Sequence, residues 1–128
     1  MGRLVLDTSV LIALNDSTDA HHESVSSKIA SHRGQFFISA VTLAEVLVVP
    51  YQFGFQIGQS HALDISNQVD GVLEVDSEIA QRAAQIRAQS AISMIDALII
   101  ATAITAKATL WTCDAKQARG YEGAVLIV

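Results

Sequence analysis

Cysteine and proline are each used once in 128 residues, as Cys113 and Pro50, and Lys and Arg together number only eight. A lone cysteine excludes an internal disulfide framework and suits a reducing compartment, so Cys113 reads as a small buried apolar residue with no redox role. With so few cations and a formal net charge of −5, a broad basic coat that grips nucleic acid regardless of sequence is excluded. No repeat, low-complexity tract or linker interrupts the chain. A secretory leader is not expected either, because Asp7 breaks the opening MGRLVLD before an apolar core can form. Leu6 stands where a myristoylation signal at Gly2 requires Ser or Thr. The most apolar stretch is interrupted and falls short of the roughly 18 residues that a membrane span needs. These absences predict a cytoplasmic protein with no membrane partner. What remains, 51% hydrophobic residues and a mean hydropathy of +0.38, excludes a disordered chain and suffices for a single domain over residues 1–128.

Short apolar runs alternate with helical patterns. Strands are predicted at Arg3 to Leu6, Phe36 to Ser39, Val72 to Val75, Thr109 to Thr112 and Val125 to Val128. Helices are predicted at Val10 to Leu14, Ala20 to His32, Val41 to Val49 (ending before Pro50), Gln59 to Val69, Ser77 to Gln89 with Ser77 as N-cap, and Ala115 to Arg119. Another, largely buried, lies in the apolar run Ala88 to Ala106. Tyr51 to Gly58 reads as a glycine-punctuated connection carrying three aromatics, open to base stacking or to packing. His21, His22, His32 and His61 lack metal-ligand spacing and are expected in solvent. The alternation predicts an α/β fold: a parallel sheet with helices on both faces, its ligands at the carboxyl ends of the strands.

Four acids stand out by their isolation. Asp7 is the only charge in Leu4 to Asn15, Glu45 the only one from Gly34 through Leu63, Asp96 the only one in Ala88 to Ala106, and Asp114 the only one in Ala108 to Ala115. An ionised carboxylate is costly among apolar residues unless it is paired, hydrogen-bonded or bound to a metal. Local explanations exist for three of them. Asp7 and Asp114 fit turns or helix N-caps, and Asp96 fits the S-x-x-D capping box with Ser93. Glu45 is the hardest to explain locally, since it lies past the first turn of its helix, where neither a cap nor the helix dipole helps it.

Asp7 and Asp114 each follow the carboxyl end of a predicted strand, Asp96 opens a helix on the same rim, and Glu45 lies about one turn into the helix after the second strand. Converging carboxylates repel, so the arrangement makes physical sense chiefly around a hard dication. Mg²⁺ or Mn²⁺ suits carboxylate oxygens, whereas zinc is disfavoured without nearby Cys or His ligands. Such a site points to phosphodiester hydrolysis.

Four segments in order, LVLDTSVLIAL (Leu4 to Leu14), ISAVTLAEVLVVP (Ile38 to Pro50), IDALIIATA (Ile95 to Ala103) and LWTCDAKQ (Leu110 to Gln117), resemble the PIN-domain ribonucleases, in particular the VapC-like toxins of toxin–antitoxin pairs. The resemblance covers nearly the entire chain. It implies a three-layer α/β/α sandwich around a mostly parallel sheet, Mg²⁺- or Mn²⁺-dependent endoribonuclease activity on RNA, a homodimer, and neutralisation by a VapB-like antitoxin. Asp7, Glu45, Asp96 and Asp114 match the family's catalytic and metal-binding acids, while Thr8, Ser9 and Thr112 match hydroxyl positions that support them. Two departures bear on packing: Trp111 replaces a usual aliphatic residue, and no aromatic stands three residues after Asp114. The competing readings are a catalytically inactive PIN-like scaffold and an acidic-pocket phosphoacceptor signalling domain. The second requires an acidic pair at the first strand, where this chain has Thr8 and Ser9 after Asp7.

Overall fold

The computed structural model describes residues 2–128. Strand β1 (Leu4–Leu6) leads into α1 (Thr8–Asn15); α2 (His22–Ser31), β2 (Phe36–Ser39), α3 (Ala40–Phe53), α4 (Phe55–Gln68) and β3 (Gly71–Leu73) follow. The chain continues through α5 (Ser77–Ala88), α6 (Met94–Thr105), β4 (Thr109–Thr112), α7 (Ala115–Arg119) and β5 (Ala124–Leu126). The five strands form one sheet in the order β3-β2-β1-β4-β5, with every pairing parallel.

Successive strand residues face opposite sides of a sheet. Val5 and Leu110 therefore share one core with Ile79 and Ala83 of α5 and Ile99 and Ile100 of α6. Leu4, Leu6 and Ile38 share the other with Val10 and Leu11 of α1, Val25 of α2 and Ile65 of α4. The result is the expected α/β/α sandwich. All three residues of β1 are buried, each contributing roughly 1.5–3 kcal/mol of transfer free energy. Asp7 thus ends the most enclosed strand of the molecule. Among the described residues no helix is long and apolar enough to cross a membrane.

Several sequence expectations need correction. Helix α3 does not stop before Pro50 but runs through it to Phe53. Proline in a helix interior forfeits one hydrogen bond and crowds the carbonyl four residues back; here the extensive packing of α3 against α4 outweighs that local preference. The predicted connection over Tyr51 to Gly58 is accordingly helical except at Gly54, whose φ of 146° is open only to glycine. Gly58 lies inside α4 beneath the Tyr51 ring, which occupies the space a Cβ would need. The N-cap of α5 is Asp76, accepting from the Ile79 N–H at 2.9 Å, rather than Ser77.

His32 is half-buried rather than solvated, its ring 5.5 Å from that of Trp111 in an edge-on contact. Trp111 also carries Lys28 Nζ at 5.9 Å from its centroid. The bulky residue that departs from the family pattern is therefore accommodated against α2 and the turn after it.

Candidate functional site

Carrying the β1–β4 register one step beyond the Leu6–Trp111 pair sets Asp7 beside Thr112, on the side of the sheet covered by α6. Asp7 is 4% exposed. Its backbone C=O accepts the Val10 and Leu11 N–H groups that start α1, but its side chain caps nothing. Instead Oδ2 accepts from Ser9 Oγ at 2.6 Å and from Thr112 Oγ1 at 2.9 Å. Each hydroxyl in turn accepts a backbone N–H, that of Cys113 for Ser9 and that of Asp114 for Thr112, both at 3.0 Å. A hydroxyl has a single proton, so with its acceptor side engaged that proton is committed to Asp7.

Gln117, fully buried on α7, completes the setting. With its amide nitrogen turned toward the carboxylate, Nε2 lies 2.9 Å from both Oδ1 and Oδ2 of Asp7. The opposite orientation would oppose an amide oxygen to a carboxylate, so the surroundings fix the choice.

The other three acids are more open. Asp96 sits half-buried in the first turn of α6, where Ser93 Oγ caps its backbone N–H at 3.1 Å, as the capping-box motif anticipates. Burial raises the Asp96 pKa above its ordinary value; the charge of Asp7 adds to this, Ser93 opposes it, and Asp114 and Glu45 add further. All three other acids therefore act on Asp96 through space. Asp114 is exposed, and its Oδ1 caps α7 through the Lys116 N–H at 2.9 Å. Exposed Glu45 is restrained by Thr8, whose Oγ1 lies 2.6 Å from Oε1 and 3.1 Å from Oγ1 of the buried Thr42. Burial pushes the neighbouring Cys113 thiol up, so it stays protonated at neutral pH.

Among the described residues the sole ion pair joins His21 and Asp19, so none of the four carboxylates has a cationic side chain against it. Nor do three or more His, Cys, Asp or Glu of the described residues form a ready-made metal cage. Carboxylate oxygens are the donor type that hard dications such as Mg²⁺ take. Every acidic donor here is a carboxylate oxygen, and Asp7 is already oriented.

Thr8, Ser9 and Thr112 each meet an acid. Sequence reasoning overlooked Thr42 and Gln117. Thr42 lies one turn before Glu45 on the same helix face, a spacing that would have paired them. Gln117 occupies the position where the family resemblance leads one to expect an aromatic, and that polar exchange was the available signal.

Residues 4–123 match the family model described as the PIN domain. No curated protein matches the sequence significantly. Among solved structures, the chain is similar to a toxin–antitoxin complex from Klebsiella pneumoniae, with 25% identity, a TM-score of 0.78, and 95% of each chain covered. It is also similar to VapC20 of Mycobacterium tuberculosis, a toxin that cleaves the sarcin–ricin loop (20% identity, TM-score 0.74, 91% of this chain and 93% of that one). A third likeness is to VapBC2 of Rickettsia felis bound to a promoter DNA fragment (19% identity, TM-score 0.72, 97% and 96% covered).

Proposed function

This chain belongs to the PIN-domain family, and from that premise we propose that it is an Mg²⁺- or Mn²⁺-dependent endoribonuclease, the toxin of a VapBC-type toxin–antitoxin pair acting in the cytoplasm as a single PIN-like domain over residues 1–128. The observation that carries this reading is the Asp7 setting: a buried carboxylate held by three side-chain donors, on a rim where Asp7, Asp114 and Glu45 all disfavour the ionisation of Asp96 and no cationic side chain of the described residues pairs with any of the four.

Asp7, Asp96 and Asp114 are the residues that would hold the ion, with Glu45 at its periphery. Mg²⁺ or Mn²⁺ would supply positive charge against the phosphate oxygens and lower the pKa of the attacking water. The chain's own part is positional. Ser9, Thr112 and Gln117 fix the Asp7 carboxylate, Ser93 fixes the start of α6 and so the place of Asp96, and Thr8 steers Glu45 toward the rim. Acids held this way cost little reorganisation when substrate arrives.

A VapB-like antitoxin and a second copy of the chain are the protein partners in this reading. It is supported by apolar surface along α3 and α4, where Val48, Val49, Phe53, Phe55 and Leu63 are all more than half exposed. Exposed apolar patches of this kind mark interaction surfaces. A phosphoacceptor role is set aside by the family membership, and an inactive scaffold is what a negative result would leave.

The test is cleavage of total RNA by the purified chain with Mg²⁺ or Mn²⁺, with EDTA, and with the Asp96→Asn variant. Metal-dependent cutting at internal positions, abolished by EDTA and reduced at least about 100-fold by the substitution, is the expected result. RNA left intact by the wild type under all metal conditions, or cut equally by the variant, would overturn it.

A further inference from the structure

Asp7 follows β1 and Asp114 precedes α7 as its N-cap, and the only buried side chain of α7 is Gln117. Its nitrogen reaches both oxygens of Asp7 at 2.9 Å. Donors are unequally shared between those oxygens. Oδ2 receives Ser9, Thr112 and Gln117, whereas Oδ1 receives Gln117 alone. A carboxylate offers about four acceptor directions over its two oxygens, so the unused capacity is concentrated at Oδ1.

We infer that Gln117 is a positioning residue for the cation site: its side-chain amide holds the Asp7 carboxylate so that Oδ1 is the oxygen left to ligate, and it ties α7, with Asp114 three residues earlier, to the end of β1. The inference rests on the metal-dependent reading above and adds to it a residue outside the acidic set. Chemically, an amide suits this role. It donates to a carboxylate as a lysine or arginine would, yet brings no charge of its own to compete with a divalent ion. An apolar residue at 117 could pack α7 but could not turn Asp7.

Gln117→Leu keeps most of the buried volume and removes the amide. Mn²⁺ binding, followed through the spectrum of the free ion without any substrate, should weaken 10- to 100-fold, the usual effect of removing a partner that orients a metal ligand. A second measurement uses the unaltered chain. The Gln117 side-chain amide resonance, identified by its loss in Gln117→Leu, should move on Mg²⁺ titration and should be displaced in Asp7→Asn; a residue that merely fills space would show neither. Equal Mn²⁺ affinity in wild type and a folded Gln117→Leu overturns the inference. If that variant does not fold, an amide resonance indifferent to both Mg²⁺ and Asp7→Asn overturns it instead. A wild type that binds no Mn²⁺ overturns the function proposed above and with it the ligand role of Oδ1, while the response of the resonance to Asp7→Asn still decides whether Gln117 holds Asp7.

Discussion

Asp96 and Gln117 mark the two extremes of what single residues disclose. Asp96 was visible because one charge stood in a long apolar segment, and such a charge demands compensation wherever the segment folds. Gln117 was hidden because an amide in a short polar stretch is unremarkable until the fold buries it against a carboxylate 110 positions away in number. The Asp96 setting has a measurable consequence. Below its ordinary value of 3.8 the group is protonated in folded and unfolded chains alike and costs nothing. As pH rises through the elevated folded value, the folded chain must ionise an acid that burial and Asp7 disfavour, so stability falls and stays lower at neutral pH. In metal-free buffer at pH 7, Asp96→Asn should therefore melt higher than wild type, by up to about 1 kcal/mol once solvent screening of a half-exposed group is allowed for, or roughly 4 °C for a domain of this size. The difference should vanish below pH 3. Added Mg²⁺ should raise the wild-type melting temperature and the variant's much less. Melts in EDTA across pH, then in a Mg²⁺ series, check both parts; a less stable Asp96→Asn in EDTA would reduce Asp96 to a residue of the helix cap.

At the scale of elements, β2, β4 and α7 lie where apolar runs and caps predicted them, because buried strands and capped helices announce themselves locally. The region from Pro50 to Gly58 did not, since its helicity depends on α3 meeting α4, which no local pattern encodes. One further element end is informative. Lys107 follows α6 with φ of 54°, and the Ala108 N–H closes the helix on the Ala103 C=O at 2.9 Å. This is the reversal that helices most often make with glycine. A side chain there is held in a left-handed conformation that costs about 1 kcal/mol. Lys107→Gly should accordingly stabilise the fold by up to roughly 0.5 kcal/mol, once the greater freedom of glycine in the unfolded chain is subtracted. Denaturant titration with an unchanged slope is the appropriate measurement. Because Lys107 lies at the opposite end of α6 from Asp96, RNA cleavage should not change.

For the molecule as a whole, the net charge of −5 and the exposed apolar residues of α3 and α4 pull in different directions. Charge keeps copies apart in solution, whereas Phe53 and Phe55, 74% and 70% exposed, favour a covered state. Replacing both by glutamate should shift the isolated chain to a smaller species in sedimentation analysis, or abolish co-purification with a co-expressed antitoxin, without lowering the stability by more than about 1 kcal/mol, as befits surface positions. An unchanged assembly and an unchanged complex would show that neither partner uses this face. The all-parallel sheet carries one last implication, for the order in which the chain is made. β1 is made before its neighbour β4, and the Thr112 hydroxyl that holds Asp7 comes 105 residues after that acid. Gln117 follows later still. Until then a nascent chain has only Ser9, of the three donors, to hold Asp7, and a product truncated before α7 has no assembled centre. If the protein is a toxin to the cell that synthesises it, its topology defers that toxicity until the chain through α7 has been made.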